Sequence, residues 1–274
     1  HPLVKIDYNS EDFLMKLGSC AEKPLFNIDT LTGNSPAYIM FTSGSTGFPK
    51  GAVMTHGNVL NLIEWTRYRY KLKGNEIFTN VNPLYFDNSV FDFYGSLFNG
   101  IALAPFTTDE TRQAKKLILS IEELRCTHWF SVPSLLVYIL RMKAFLRDSI
   151  PCLNTLSFGG EGFPKTLLRK LHELYPQKKL INVYGPTECS CICSSYEVES
   201  KDMKSSSLLP LGVINPNFDY LILDENDMEV SKGEIGNLFL LGPCVGKGYY
   251  NNKEKTIEVF IQNPMNHSYL EIGY

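Results

Sequence analysis

The stretch Thr42-Ser43-Gly44-Ser45-Thr46-Gly47-Phe48-Pro49-Lys50-Gly51 gathers the groups that a polyphosphate needs. Glycine lets backbone N–H groups turn toward an anion without interference from a Cβ. The hydroxyls of Thr42, Ser43, Ser45 and Thr46 add donors, and Lys50 adds a positive charge. The apolar run Ala37-Tyr38-Ile39-Met40-Phe41 before it has the character of a strand. A solvated Gly/Ser linker is the plain alternative, but linkers seldom sit between buried elements. The stretch is not the Walker pattern, because Pro49 precedes the lysine and no helix is expected to open at Lys50.

A second set is Asn182-Val183-Tyr184-Gly185-Pro186-Thr187-Glu188. A strand ends there, the chain turns at Gly-Pro, and a hydroxyl and a carboxylate are presented. In α/β sheets, ligands sit beyond the carboxyl ends of the strands. Glu188 can hold Mg²⁺, a hard ion that prefers oxygen, and Tyr184 can stack on a base. An ordinary strand-to-loop turn with an exposed acid is equally open. Ser157-Phe158-Gly159-Gly160-Glu161-Gly162 follows another strand, and its glycines permit a flat ligand to approach, or simply form the turn before a helix. In Leu84-Tyr85-Phe86-Asp87-Asn88-Ser89-Val90, a carboxylate stands before an apolar helix. It is either an N-cap or an acid held among apolar walls, which selects for a cation.

The elements that must position these groups alternate. Strands are expected at 77–81, 101–105, 128–131, 153–158 and 180–184. Between them, helices are expected at 90–99, 111–124, 134–145 and 165–175. Asn58 is read as the N-cap of a helix carrying Val59, Leu62, Ile63 and Thr66. Strands alternating with helices imply βαβ units and a mainly parallel sheet. Residues 1–35 read as irregular. After about Leu211 the pattern changes to hairpin material, with strands at 219–223 and 235–241.

The 274 residues suffice for a substantial core, and 44% hydrophobic with 20% charged residues describes a globular chain. The net charge of −3 and the absence of a basic block argue against nucleic acid as a partner. No apolar run approaches the length of a membrane span. No secretory leader pattern opens the chain, and His1 in place of Met suggests a fragment. Seven cysteines without secretory context read as reduced thiols of a cytoplasmic protein. Cys189, Cys191 and Cys193 alternate, so on a strand they would share one face as buried thiols rather than a metal site.

The loop Tyr38 to Gly51 and the Tyr184-Gly185-Pro186-Thr187-Glu188 stretch together resemble the adenylate-forming superfamily. That superfamily contains acyl-CoA synthetases, luciferases and the adenylation domains of nonribosomal peptide synthetases. The resemblance runs from about Tyr38 onward, in the family's motif order. It implies an α/β core of mainly parallel sheets flanked by helices (residues 37–210), a partial N-terminal segment (1–36) and a small, truncated β subdomain (211–274). The family's C-terminal lid and its lysine are absent, as is its Thr-Gly-Asp motif.

By the same resemblance, Thr42, Ser43, Gly44, Ser45, Thr46, Gly47 and Lys50 hold the phosphates of ATP. Gly159, Gly160 and Glu161 wall the adenine site. Asn182 contacts the adenine amino group, Tyr184 stacks, and Gly185 and Thr187 complete the site. Glu188 holds Mg²⁺, and Thr187, Glu188 and Lys50 act on the reacting phosphate. Asp87 resembles the Phe-Asp-x-Ser acid that pairs with the substrate α-ammonium in peptide-synthetase and D-alanine-ligase domains. Asn88, Phe91, Ser131, Ser157, Gly159, Val183, Cys191 and Ile192 would line the rest of that pocket. Apart from Asp87 none is charged, which suits a small, polar or moderately apolar side chain. Gly233 to Leu238 and Gly246 to Asn251 resemble later family motifs and read as structural. The implied reaction converts an amino acid and ATP to an aminoacyl-AMP and pyrophosphate, with transfer to a phosphopantetheinyl carrier-protein thiol. An acyl-CoA ligase and a truncated nucleotide-binding module are the alternatives.

Overall fold

The computed structural model describes residues 10–19, 28–42, 48–266 and 271–274. The chain divides into two units, His1–Thr32 and Gly33–Tyr274. In the first, helix α1 (Glu11–Ser19) is followed by a single 3-10 turn at Ile28–Thr30. The Ser10 hydroxyl accepts the Phe13 N–H and so caps α1. This helix corrects the irregular reading of residues 1–35, because its short apolar run has no long periodic pattern to announce it.

The second unit opens with the antiparallel pair β1 (Pro36–Thr42) and β2 (Lys50–Thr55), in which Thr42 faces Lys50. Helix α2 (His56–Tyr70) is capped by Thr55, not by Asn58. Thr55 accepts the Asn58 N–H, and the Asn58 amide oxygen accepts the Thr55 N–H. Asn58 is therefore the closing member of a capping box, three residues inside its expected place.

Strand β3 (Ile77–Asn80), helix α3 (Asn88–Leu97), strand β4 (Ala102–Pro105), helix α4 (Thr108–Thr111) and helix α5 (Ala114–Glu123) follow. The single helix expected over 111–124 is thus two. Thr107 and Glu110 form their own capping box and start α4 separately. Strand β5 (His128–Ser131) leads to α6 (Pro133–Arg141), with proline at its first turn. Lys143, at a φ of 53°, breaks the helix before Phe145. Strand β6 (Thr155–Gly159), helix α7 (Lys165–Leu174) and strand β7 (Lys179–Tyr184) complete the alternation.

Strands β8 (Ser194–Glu197) and β9 (Val213–Ile214) finish a seven-stranded sheet in the order β4-β3-β5-β6-β7-β8-β9. The pairs from β4 to β7 are parallel, and those of β8 and β9 are antiparallel. The hairpin of β10 (Asp219–Leu223) and β11 (Asn237–Leu241) follows, as expected from the sequence. Helix α8 (Lys253–Val259) and the short pair β12 (Ile261–Gln262) and β13 (Ile272–Gly273) complete the described chain.

The parallel strands are buried because helices cover both faces. Successive strand residues point to opposite sides. Trp129, Leu156, Phe158 and Leu180 pack with Leu117, Leu136, Ile139 and Leu168 of α5, α6 and α7. Phe130, Ile181 and Val183 pack with Leu62, Trp65 and Phe91 of α2 and α3. The cysteine triplet lies on no common strand face. Ser190 and Cys191 have φ values of 62° and 70°, which break the extension. Cys189 and Cys193 consequently join one apolar cluster while Cys191 joins another.

Candidate active site

Parallel strands deliver their carboxyl ends to one edge of the sheet. That edge receives the loop after β3, the turn after β6 and the turn after β7. The loop after β3 ends in Asp87, at the start of α3. Asp87 occupies the N-cap position, but its φ and ψ of −63° and −20° are helical and its side chain makes no capping bond. Its Oδ2 instead accepts the Thr187 hydroxyl at 2.7 Å, across 100 residues of sequence. Burial raises the Asp87 carboxyl above the usual carboxylate range, and the nearby Glu188 charge adds to this. The hydrogen bonds from Thr187 and the Asn88 backbone oppose the rise without cancelling it.

The turns after β6 and β7 face one another across a cavity of about 290 Å³. Gly160, Glu161, Asn182, Tyr184 and Gly185 line it, with Leu209 and other leucines. Asn182 donates through Nδ2 to the Pro210 carbonyl at 2.9 Å. Glu161 has a further task. Its carboxylate accepts the Ser134 N–H at 3.2 Å and the Ser134 hydroxyl at 3.3 Å, tying this turn to the amino end of α6. Gly159 leaves no room for a side chain beside β7: a Cβ there would stand 2.4 Å from the Val183 carbonyl oxygen. Gly159→Ala should destabilise the protein by about 2 kcal/mol through overpacking, read as a lower midpoint in urea unfolding. An unchanged midpoint would mean that the two strands separate freely.

Glu188 is 5% exposed. Its Oε1 accepts the Tyr249 hydroxyl at 2.6 Å, and the Lys50 ammonium lies 5.0 Å from the Tyr249 ring centroid. Hydrogen bonds between β2 and residues 247–250 hold Tyr249 there. Gly246 makes that approach possible, since a Cβ would meet the Met54 sulfur at 2.7 Å and the Val53 carbonyl at 2.8 Å. The segment 246–251, read from sequence as structural, thus also reaches a site residue. Among the described residues no group of three His, Cys, Asp or Glu could hold a metal ion. Mg²⁺ is commonly bound through one or two carboxylates plus phosphate oxygens, so the single acid Glu188 beside the Thr187 hydroxyl fits that ion.

The remaining candidate pocket residues are not equally available. Phe91, Val183, Cys191 and Ile192 are buried in one cluster. The Cys191 thiol faces the Asn88 amide oxygen at 4.0 Å. Ser131 accepts the Trp129 indole N–H at 2.7 Å and donates to the Val132 carbonyl. Ser157 shares a hydrogen bond with the Tyr70 hydroxyl at 2.8 Å. Tyr70, packed edge-on against Trp65, thereby contacts a candidate pocket residue, a link the sequence reading missed. Their signal was the aromatic spacing of α2, indistinguishable there from core. Ser43, Gly44, Ser45, Thr46 and Gly47 lie outside the described residues. The flanking Thr42 and Lys50 are paired across the hairpin, where the Thr42 hydroxyl donates to the Lys50 carbonyl at 3.4 Å.

The profile of a family described as AMP-binding enzyme matches residues 3–250. A D-alanine–D-alanyl carrier protein ligase of Bacillus mycoides is 33% identical over 228 residues, covering 83% of this chain and 45% of that protein. One from Streptococcus pyogenes serotype M3 is 34% identical over 242 residues, covering 88% and 47%. The chain thus spans about half the length of the curated relatives it matches. The nonribosomal peptide synthetase FmoA3 superposes with a TM-score of 0.77 at 27% identity, covering 88% of this chain and 25% of that one. The NpsA N-terminal subdomain of Klebsiella oxytoca, solved with 3-hydroxyanthranilyl-AMSN, has a TM-score of 0.81 at 23% identity, covering 96% and 66%; at that identity it supports the fold alone. Profile, relatives and site edge agree with the resemblance carried by Tyr38–Gly51 and Tyr184–Glu188: the chain belongs to the AMP-binding enzyme family, within the adenylate-forming superfamily.

Proposed function

We propose that this chain supplies the nucleotide and amino-acid sites of an enzyme that activates an amino acid as aminoacyl-AMP. The observation that carries the reading is the Asp87–Thr187 hydrogen bond. It puts the acid suited to an ammonium group directly beside the hydroxyl suited to a phosphate. An amino acid whose ammonium takes the Thr187 position on Asp87 would have its carboxylate near that hydroxyl, and so near the phosphate it orients.

In this reading the cavity between Gly160 and Tyr184 takes adenine. Asn182 spends its donor on Pro210 and keeps its amide oxygen as the acceptor for an exocyclic amine. Thr42, Lys50 and the loop between them hold the phosphates. The carboxylate oxygen forms a bond to the α-phosphorus, and the bond from that phosphorus to pyrophosphate breaks. Mg²⁺ bound at Glu188 would neutralise charge on the phosphates. Lys50 and Thr187 would orient them. Phe91, Val183, Cys191 and Ile192 are packed in one buried cluster, which in this reading suits a small substrate side chain. The acceptor in this reading is a carrier-protein thiol, in keeping with the names of the D-alanine ligase relatives.

No helix among the described residues is long and apolar enough to cross a membrane. ATP as substrate and the free thiols at Cys126, Cys189, Cys193 and Cys244 support a cytoplasmic site of action. Pyrophosphate exchange with alanine and with propionate tests the reading. Exchange driven by the amino acid and not by the simple acid supports it. Equal exchange with propionate makes the protein an acyl ligase of another kind, and binding of ATP with no exchange under any acid leaves a nucleotide-binding module.

A further inference from the structure

We propose that Asp92 is a positioning residue for Asp87: its buried carboxyl group clamps Asn80 and Asn82 and so fixes the loop and helix end that present Asp87. This inference rests on the reading of Asp87 as the ammonium-binding acid.

Asp92 lies on α3, five residues after Asp87, and is fully buried. Its Oδ2 accepts the Asn80 amide at 3.0 Å and the Asn82 amide at 2.8 Å. Asn80 ends β3 and Asn82 begins the loop to Asp87. Asn82 also donates to the Phe130 carbonyl of β5 at 2.9 Å, so one carboxyl oxygen joins α3 indirectly to two strands. The Ser96 hydroxyl, one turn further along α3, donates to the Asp92 carbonyl.

The loop needs such a clamp because it has little packing of its own. Leu84, Tyr85 and Phe86 are 67%, 70% and 55% exposed. Within the loop, the Phe86 N–H donates to the Pro83 carbonyl, and the Ser89 hydroxyl and N–H donate to the Phe86 carbonyl. These bonds shape the turn but do not anchor it to the sheet. Asp87 makes no side-chain capping bond, and its contact with the Asn88 N–H reaches only the adjacent residue. Its direction toward Thr187 therefore depends on where α3 begins, and the Asp92 contacts set that start relative to the sheet edge.

The other carboxyl oxygen, Oδ1, is buried and has no hydrogen-bond partner among the described residues. A charge left there would be costly. Burial raises the Asp92 carboxyl to about 8, so it is largely neutral at physiological pH. A neutral amide can therefore replace it. In Asp92→Asn the side-chain oxygen still accepts from Asn80 and Asn82, whereas Asp92→Ala and Asn82→Ala remove the clamp from either end.

The test uses two sulfamoyl-adenosine analogues, D-alanyl and propionyl, that differ in the α-amino group. Their ratio of dissociation constants isolates the Asp87–ammonium contact. A fold weakened in general lowers both affinities together and leaves the ratio. Asn82→Ala and Asp92→Ala are expected to cut the ratio by about tenfold, the loss typical of a misplaced charged hydrogen bond, with ATP affinity unchanged. Asp92→Asn should keep it within about threefold of wild type. If Asp92→Ala does not fold, Asn82→Ala and Asp92→Asn decide alone. A ratio unchanged in Asn82→Ala, or lost in Asp92→Asn, overturns the positioning role while leaving Asp87 as the ammonium acid. A wild-type ratio near one, unaltered by Asp87→Ala, overturns the Asp87 reading and the inference with it.

Discussion

Asp87→Ala should raise the amino-acid KM by a hundredfold or more while leaving ATP affinity nearly unchanged. Removing one member of a desolvated charge pair costs on the order of 3 kcal/mol. Asp87 is the only acid in the proposed lining, it is half-buried, and burial raises its carboxyl above the usual value. The same fact predicts a pH dependence. The ionised carboxylate binds the ammonium, so activation should fall as pH drops toward the raised Asp87 value, earlier than for an ordinary carboxylate. The alanine variant should lose that limb of the profile. Steady-state exchange across pH measures both effects. An alanine variant that still prefers alanine to propionate would end the ammonium assignment.

Glu188→Gln should lower turnover on the order of a hundredfold, the scale seen when one preorganised electrostatic group is removed from a reacting centre. Glutamine keeps the size and still accepts the Tyr249 hydroxyl, so the 2.6 Å contact survives. Only the negative charge is lost, and a hard divalent ion needs that charge. Raising Mg²⁺ should restore part of the activity. Tyr249→Phe should be milder, about 1 kcal/mol, since it deletes a single hydrogen bond to a charged group. Titration of exchange rate against Mg²⁺ distinguishes the cases. Identical Mg²⁺ curves for wild type and Glu188→Gln would reduce Glu188 to a residue of the turn.

What the sequence made legible is local. Gly-rich turns after apolar strands declared the sheet edge, because glycine and proline have few alternatives to turning. The alternation of strands and helices declared the parallel sheet, because the period of burial changes between them. The failures are local competitions resolved by neighbours. Asn58 is a good capping residue, but Thr55 caps α2 and recruits it. The spacing of Cys189, Cys191 and Cys193 would share a face only if the chain were extended, and the left-handed residues Ser190 and Cys191 bend it. The partners of Tyr70, Tyr249 and Asp92 were hidden for a different reason. Tyr70 meets Ser157 across 87 residues and Tyr249 meets Glu188 across 61. Asp92 meets Asn80 and Asn82 from another element, and nothing in an apolar helix pattern reveals which polar residue will find a buried partner. Asp87 was readable as a cap or as a pocket acid, and in the structure its side chain makes no capping bond and accepts the Thr187 hydroxyl instead.

A crystal structure of the chain with D-alanyl sulfamoyl adenosine tests the central claim most directly. Adenine is expected between the Gly160 turn and Tyr184, with its amine on Asn182. The D-alanyl ammonium is expected within hydrogen-bond distance of Asp87, in the position that the Thr187 hydroxyl holds in the free protein. Adenine bound outside the Gly160–Tyr184 cavity, or an ammonium group that makes no contact with Asp87, would contradict it.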